Sequence, residues 1–190
     1  MPMPYRRLLC ALPFALLLAA PAAWGTVVMP QSVETLARRA DLVVRGKAER
    51  SVARASRDGK LIHTVTTLRV ASTIKGKAEG QVVEVRTPGG TIGDITQVVH
   101  GAPSFSAGEE VVLFLHREGA AARYTVECLA LGKFEVVRGP DGSSVVRQRA
   151  PGLSVLDADG AVRPALAVQP VSEREFLERV RRAVAAGEAR

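Results

Sequence analysis

Few side chains in this sequence can do chemistry, and their spacing limits what kind. Histidine occurs three times, as His63, His100 and His116. No pair has the His-Glu-x-x-His spacing that sets two imidazoles on one helical face around zinc. No metal and no cofactor is expected. Asp157-Ala-Asp159-Gly160 begins like a calcium loop, but the later ligands and the closing glutamate are missing. It reads as a turn. No Gly-x-Ser-x-Gly elbow occurs. Cys128 stands in Thr-Val-Glu-Cys-Leu-Ala, with no neighbouring base to make a thiolate. It reads as a small hydrophobe buried on a strand. Glu109-Glu110 opens a strand and reads as solvated. Pro88-Gly89-Gly90-Thr91-Ile92-Gly93 lacks the Walker spacing and opens no helix, so its glycines serve the path of the backbone. The chain carries no catalytic constellation and is not expected to be an enzyme.

What remains is binding. The segment from Pro88 to Gly108 is the longest irregular stretch ahead of the last strands, and binding residues concentrate on such loops. The candidate binding loop comprises Thr91, Ile92, Asp94, His100, Pro103 and Phe105. Lysine and arginine number 26 against 19 acidic residues, a formal net charge of +7. The charges are interspersed. Basic and aromatic residues do not alternate on any strand as a stacking platform for single-stranded nucleic acid requires. Nucleic acid is therefore not an expected partner. A mildly basic surface is compatible with loose attraction to anionic lipid or glycan.

The elements that must position these residues are mainly strands. Ser32 caps a short helix, Val33 to Ala40, with Glu34 in its first turn and Arg38 and Arg39 in its last. From Asp41 the period becomes two: Leu42, Val44, Gly46 and Ala48 form one face of a strand, with Gly46 marking a bend or bulge. Arg54 to Lys60 is a polar turn holding Asp58-Gly59. A second strand spans about Leu61 to Ile74, rich in Thr and Val, and a third Gln81 to Thr87. Thr91 to Glu110 is loop-like, with a short pairing piece near Ile95 to Val99. Val111 to His116 is a nearly continuous apolar run, the pattern of a strand buried on both faces. Arg123 to Leu131 and Lys133 to Arg138 follow, broken by Gly132. Ser144 to Gln148 returns after the Gly139-Pro140-Asp141-Gly142 turn. Ala150 to Pro170 wraps the surface. Ser172 and Glu175 form a capping box for a last amphipathic helix, with Phe176, Leu177, Val180, Ala183 and Val184 on one face. The expected fold is mainly β: six or seven short strands joined by Gly-rich turns read as a small barrel or sandwich, with a short N-terminal helix and a C-terminal amphipathic helix. Residues 26–150 form the β domain, and 151–190 a wrapping segment and helix of the same domain.

The first 25 residues read as an export signal. Arg6 and Arg7 precede an apolar run, Leu8 to Ala20, followed by Pro21-Ala22-Ala23-Trp24-Gly25. The run is shorter than the roughly 20 residues a membrane span needs. Cleavage is expected near Gly25, giving a periplasmic or secreted protein that does not span the membrane. Cys10 lacks a lipid-attachment context. Without it, Cys128 is the sole cysteine, so no internal disulfide is expected.

Three stretches resemble a known family. Ala40-Asp-Leu-Val-Val-Arg-Gly-Lys-Ala48 resembles the first strand of the netrin-like modules, which include the tissue inhibitors of metalloproteinases. Thr67-Leu-Arg-Val-Ala-Ser-Thr-Ile-Lys-Gly-Lys77 is similar to their second strand, and Gly108-Glu-Glu-Val-Val-Leu-Phe-Leu115 to a later one. The same stretches resemble uncharacterised exported bacterial proteins. The resemblance implies a small OB-like, five-stranded Greek-key barrel, which agrees with the strand count and selects the barrel over the sandwich. The metalloproteinase inhibitors use an N-terminal cysteine on the catalytic zinc, and neither that cysteine nor their disulfide framework has a counterpart after Gly25. The expected function is a non-catalytic binding module, accessory to or an inhibitor of an exported peptidase, acting through a loop such as Thr91 to Ser106. The alternative is a structural envelope protein that binds glycan or lipid through its basic surface.

Overall fold

The computed structural model describes residues 26–119, 123–156, 159–165 and 169–188. The export signal, Cys10, and the first half of the Asp157-Ala-Asp159-Gly160 motif lie outside these residues. The elements run in the order β1 (Thr26–Val28), α1 (Val33–Arg39), β2 (Leu42–Ala55), β3 (Ile62–Lys75), β4 (Val82–Pro88), β5 (Gly90–Ile92), β6 (Ile95–Gln97) and β7 (Glu110–Arg117). They continue as β8 (Arg123–Val126), a 3-10 turn at Leu129–Gly132, β9 (Lys133–Arg138), β10 (Ser144–Gln148), β11 (Leu153–Leu156), β12 (Val162–Pro164), β13 (Val171–Ser172) and α2 (Glu173–Glu188).

Five strands close a barrel in the order β2-β3-β4-β8-β7, with β7 returning to β2. Every neighbouring pair is antiparallel except β4–β8, which is parallel. That order, with one parallel pair between the third and fifth strands, is the OB-type Greek key. Closure removes the open edges that a lone sheet would expose.

β7 organises the molecule because both of its faces are buried. Val111, Leu113 and Leu115 point into the barrel with Leu42, Val44 and Tyr124. Val112 and Phe114 point outward beneath the two helices, with Leu36, Phe134 and Val180. Its second edge is shared: Val111 to Leu113 pair with β9, and Leu115 to Arg117 with β8. The chain must therefore leave β7's edge at one point and rejoin it further back. This explains why the expected strand from Arg123 to Leu131 stops at Val126 and gives way to a 3-10 turn. Gly132 fits that reversal: a Cβ there would lie 2.2 Å from the Glu127 carbonyl oxygen.

Two other expectations are corrected. β2 runs on to Ala55 because its register with β3 holds through Ala55 opposite Ile62. The stretch from Ala150 to Pro170 is more than a wrap: β11 pairs in parallel with β1 and antiparallel with β12, tying both ends of the fold into a second sheet. The bulge at Gly46 is present, with a register shift there and Arg69's carbonyl oxygen 2.6 Å from where a Cβ would sit. Ser32 caps α1 by accepting from the Thr35 amide at 3.1 Å. Ser172 is the last residue of β13, immediately ahead of α2.

α1 and α2 are joined at their surface by Arg179, which donates to both Glu34 carboxylate oxygens at 2.6 and 3.0 Å. This guanidinium holds the Glu34 carboxyl down to about 2, from an ordinary 4.5. The stabilisation is present in full above pH 4.5 and is lost as pH falls through the folded-state value near 2. Both side chains are well exposed, so its size is about 1 kcal/mol or less. Glu34→Gln is expected to lower urea midpoints at pH 6 and to match the parent near pH 2. An equal loss at both values would mean the carboxylate charge is not what stabilises the helix pair.

Candidate binding cleft at the mouth of the barrel

The alternation of β3 and β4 turns His63, Val65, Glu84 and Arg86 outward while Thr66, Leu68, Val83, Val85 and Thr87 are buried. The β2–β3 turn and the beginning of the β7–β8 connection flank this outer surface. In OB barrels, this is the face that receives ligands. A cleft of about 610 Å³ opens here. Its apolar wall is made by Leu61, Ile62, Val99, Pro103, Val126 and Leu129, and its polar rim by His63, Arg86, Gln97 and Glu118.

The cleft exists because Pro88-Gly89-Gly90 redirects the chain across β3. Gly90 has φ +140, and a Cβ on it would stand 2.5 Å from Thr64 Oγ1. The β5–β6 hairpin that follows is pinned back onto β3. Thr64 Oγ1 donates to the Gly89 carbonyl at 2.8 Å, and the Ile62 amide donates to Gln97 Oε1 at 2.6 Å. The hairpin closes over Gly93-Asp94, with Ile92 paired against Ile95 and the Thr91 and Thr96 hydroxyls bonded at 2.9 Å. Its apolar side chains are left in solvent: Ile92 is 39%, Ile95 69% and Val98 69% exposed, and nearby Leu61 56%.

The candidate loop residues separate into two groups. Thr91, Ile92 and Asp94 sit on the hairpin, and Pro103 is a buried part of the cleft wall. His100 and Phe105 have structural surroundings: the His100 carbonyl accepts from Thr26 Oγ1 at 2.8 Å, and Phe105 packs on the barrel core beneath the Lys133 ammonium, 4.9 Å from the ring centroid. The sequence reading missed Leu61, Ile62, His63, Arg86, Gln97 and Leu129. Period-two alternation alone places His63 and Arg86 outward. The parallel β4–β8 pairing that brings Leu129 to them has no local signal.

Cys128 lies in a left-handed turn, with φ 52, rather than on a strand, and Leu129 after it has φ 57. Two consecutive residues without glycine in this region store backbone strain on the wall of a cleft. The thiol is half-buried and donates to Glu127 Oε1 at 3.5 Å. Burial, and then the Glu127 carboxylate, push its pKa up, so it stays protonated at neutral pH and is a poor nucleophile. His63 goes the other way. Burial, and then the Arg86 guanidinium, push its pKa down, which keeps the ring neutral. Its Nδ1 is buried without a hydrogen-bond partner. The three histidines sit on β3, the connecting loop and β7, and among the described residues no His, Cys, Asp or Glu cluster suits a metal ion. No helix among them is long and apolar enough to cross a membrane. No family model matches the chain, and no curated protein matches it.

Proposed function

We propose that this protein is an exported, non-catalytic binding module that docks a partner protein through the cleft and the β5–β6 hairpin. The carrying observation is that exposed Leu61 lines the apolar cleft while exposed Ile92 and Ile95 line an adjoining recess that shares Ile62 and Gln97 with it. Monomeric proteins seldom leave such groups together in solvent unless they bind something. The resemblance to netrin-like modules suggests an exported peptidase as the partner, with the protein as its accessory or inhibitor. The amino-terminal segment, read as an export signal, supports an exported compartment.

The test is capture. Immobilised protein lacking residues 1–25 is exposed to the exported fraction of the source cells, and any retained peptidase is assayed with and without it. Retention with a change in peptidase activity supports the reading. Retention of envelope polymer alone, or of nothing, overturns it. A second reading, attachment to glycan or lipid through a basic surface, draws on the guanidiniums of Arg54, Arg57, Arg86 and Arg123 around a neighbouring recess. High salt separates the two: attachment carried by the arginines alone is lost as exposed charges are screened, with a Debye length of about 10 Å at 0.1 M, whereas docking that also buries the apolar cleft is only weakened.

A further inference from the structure

The apolar cleft does not stand alone. A second recess of about 430 Å³ adjoins it on the outer surface of β2, β3, β4 and β8, and His63 and Arg86 line both. Strand register builds this recess. Arg54 lies opposite His63, Val65 opposite Arg86, and Glu84 beside Arg123. Arg54, Arg57, Arg86 and Arg123 thus surround one hollow against the single carboxylate of Glu84.

Most of this positive charge is not spent inside the molecule. Arg86 meets Glu118 only at 3.4 Å, whereas the bidentate Arg179–Glu34 pair has contacts of 2.6 and 3.0 Å. Arg54, Arg57 and Arg123 make no ion pair among the described residues. His63, on the wall the two hollows share, has its Nδ1 buried without a hydrogen-bond partner. Guanidiniums gathered without acceptors repel one another, and a ligand carboxylate offers them paired, charge-assisted hydrogen bonds.

We infer that the partner segment received here is acidic as well as apolar: an extended polypeptide stretch that places an aliphatic side chain in the cleft and a carboxylate, two residues away, in the arginine recess. This rests on the docking reading above and adds the chemistry of the partner. Alternate residues of an extended chain share one face and lie about 6.6 Å apart, so residues i and i+2 reach two hollows that share a wall. A polyanionic glycan would satisfy the arginines but leave the apolar cleft empty. Single-stranded nucleic acid would need exposed aromatic rings to stack on, and Tyr124 on this side of the barrel is fully buried.

The experiment uses three fluorescein-labelled peptides of equal length, Leu-Glu, Leu-Lys and Ser-Glu, built from repeated Leu-Ser-Glu-Ser, Leu-Ser-Lys-Ser and Ser-Ser-Glu-Ser so that the named side chains share one face of an extended chain, titrated with the protein in fluorescence anisotropy. Anionic phosphatidylglycerol vesicles form a fourth arm. Leu-Glu is expected to bind at least about 10-fold more tightly than either other peptide, since Leu-Lys offers the arginines no carboxylate and Ser-Glu offers the cleft no aliphatic side chain. The double variant Arg54→Ala/Arg123→Ala is expected to lose that preference about 10-fold. Both side chains are exposed, and an unchanged melting temperature would show that the variant folds. Equal binding of Leu-Lys, unchanged binding by the variant, or binding to the vesicles alone would overturn the acidic-segment assignment. Capture of a peptidase under those same outcomes would leave the docking module standing. Loss of capture together with absence of peptide binding would remove both.

Discussion

Replacing Ile92 and Ile95 together by aspartate is expected to weaken partner binding about 100-fold or more while leaving the fold intact. Each isoleucine buried in an interface contributes about 1.5–3 kcal/mol, and every 1.4 kcal/mol is a factor of 10 in affinity. Aspartate also brings an unpaired charge into the desolvated centre of the contact. The folded state has little to lose. Both side chains flank the Gly93-Asp94 turn and are open to solvent, and the hairpin is held by Thr64–Gly89 and Ile62–Gln97 contacts that the substitutions do not touch. The check is surface plasmon resonance with the captured partner, beside thermal unfolding of both proteins. Undiminished affinity in a folded variant would remove the hairpin from the interface.

Phe134→Ala is expected to be the most damaging single truncation for stability, costing about 3–5 kcal/mol. Phe134 is 2% exposed. Its ring lies 5.6 Å from Phe114 and 4.7 Å from Phe176, in edge-on and tilted arrangements. It therefore joins the outer face of β7 to α2, and the cavity left behind would open between the barrel and both helices. Urea unfolding should show a lower midpoint with little change in slope. The cleft lies on another surface of the barrel, so partner affinity measured well below the midpoint should persist. A cost below about 1 kcal/mol would mean that α2 is not docked on Phe134 as described.

The elements were legible in the sequence wherever period and length agreed. The apolar run Val111 to His116 reads directly as a strand buried twice over, and β7 is buried on both sides. Gly46 announces the bulge, and the Ser32 cap and the apolar stripe of α2 are local patterns. Counting strands and turns narrows the fold to a barrel or a sandwich, and the β7–β8 pairing that closes the barrel has no local signal. What could not be read is set by long-range geometry. Cys128 looks like a strand residue because Tyr124, Val126 and Cys128 alternate. Only the transfer of β7's edge from β8 to β9 forces it into a left-handed turn. Within the candidate loop, Phe105 packs on the barrel core beneath Lys133, and no local signal says which loop side chains turn inward. The arginine recess draws on four strands and a turn, so its residues are dispersed in sequence from Arg54 to Arg123 and read singly as surface charge.

The central claim is that one end of the barrel, bearing the hairpin, receives the partner. A photo-cross-linking residue placed at Ile92 or at Val82 tests it most directly. Both positions are 39% exposed. Val82 opens β4 and Pro88, on the cleft, ends it, which puts Val82 roughly 20 Å along the strand from the cleft at about 3.3 Å per residue. Cross-linking to the partner from position 92 and not from position 82 is the predicted result. Cross-linking from position 82 alone, or equally from both, would contradict the assignment of the docking face.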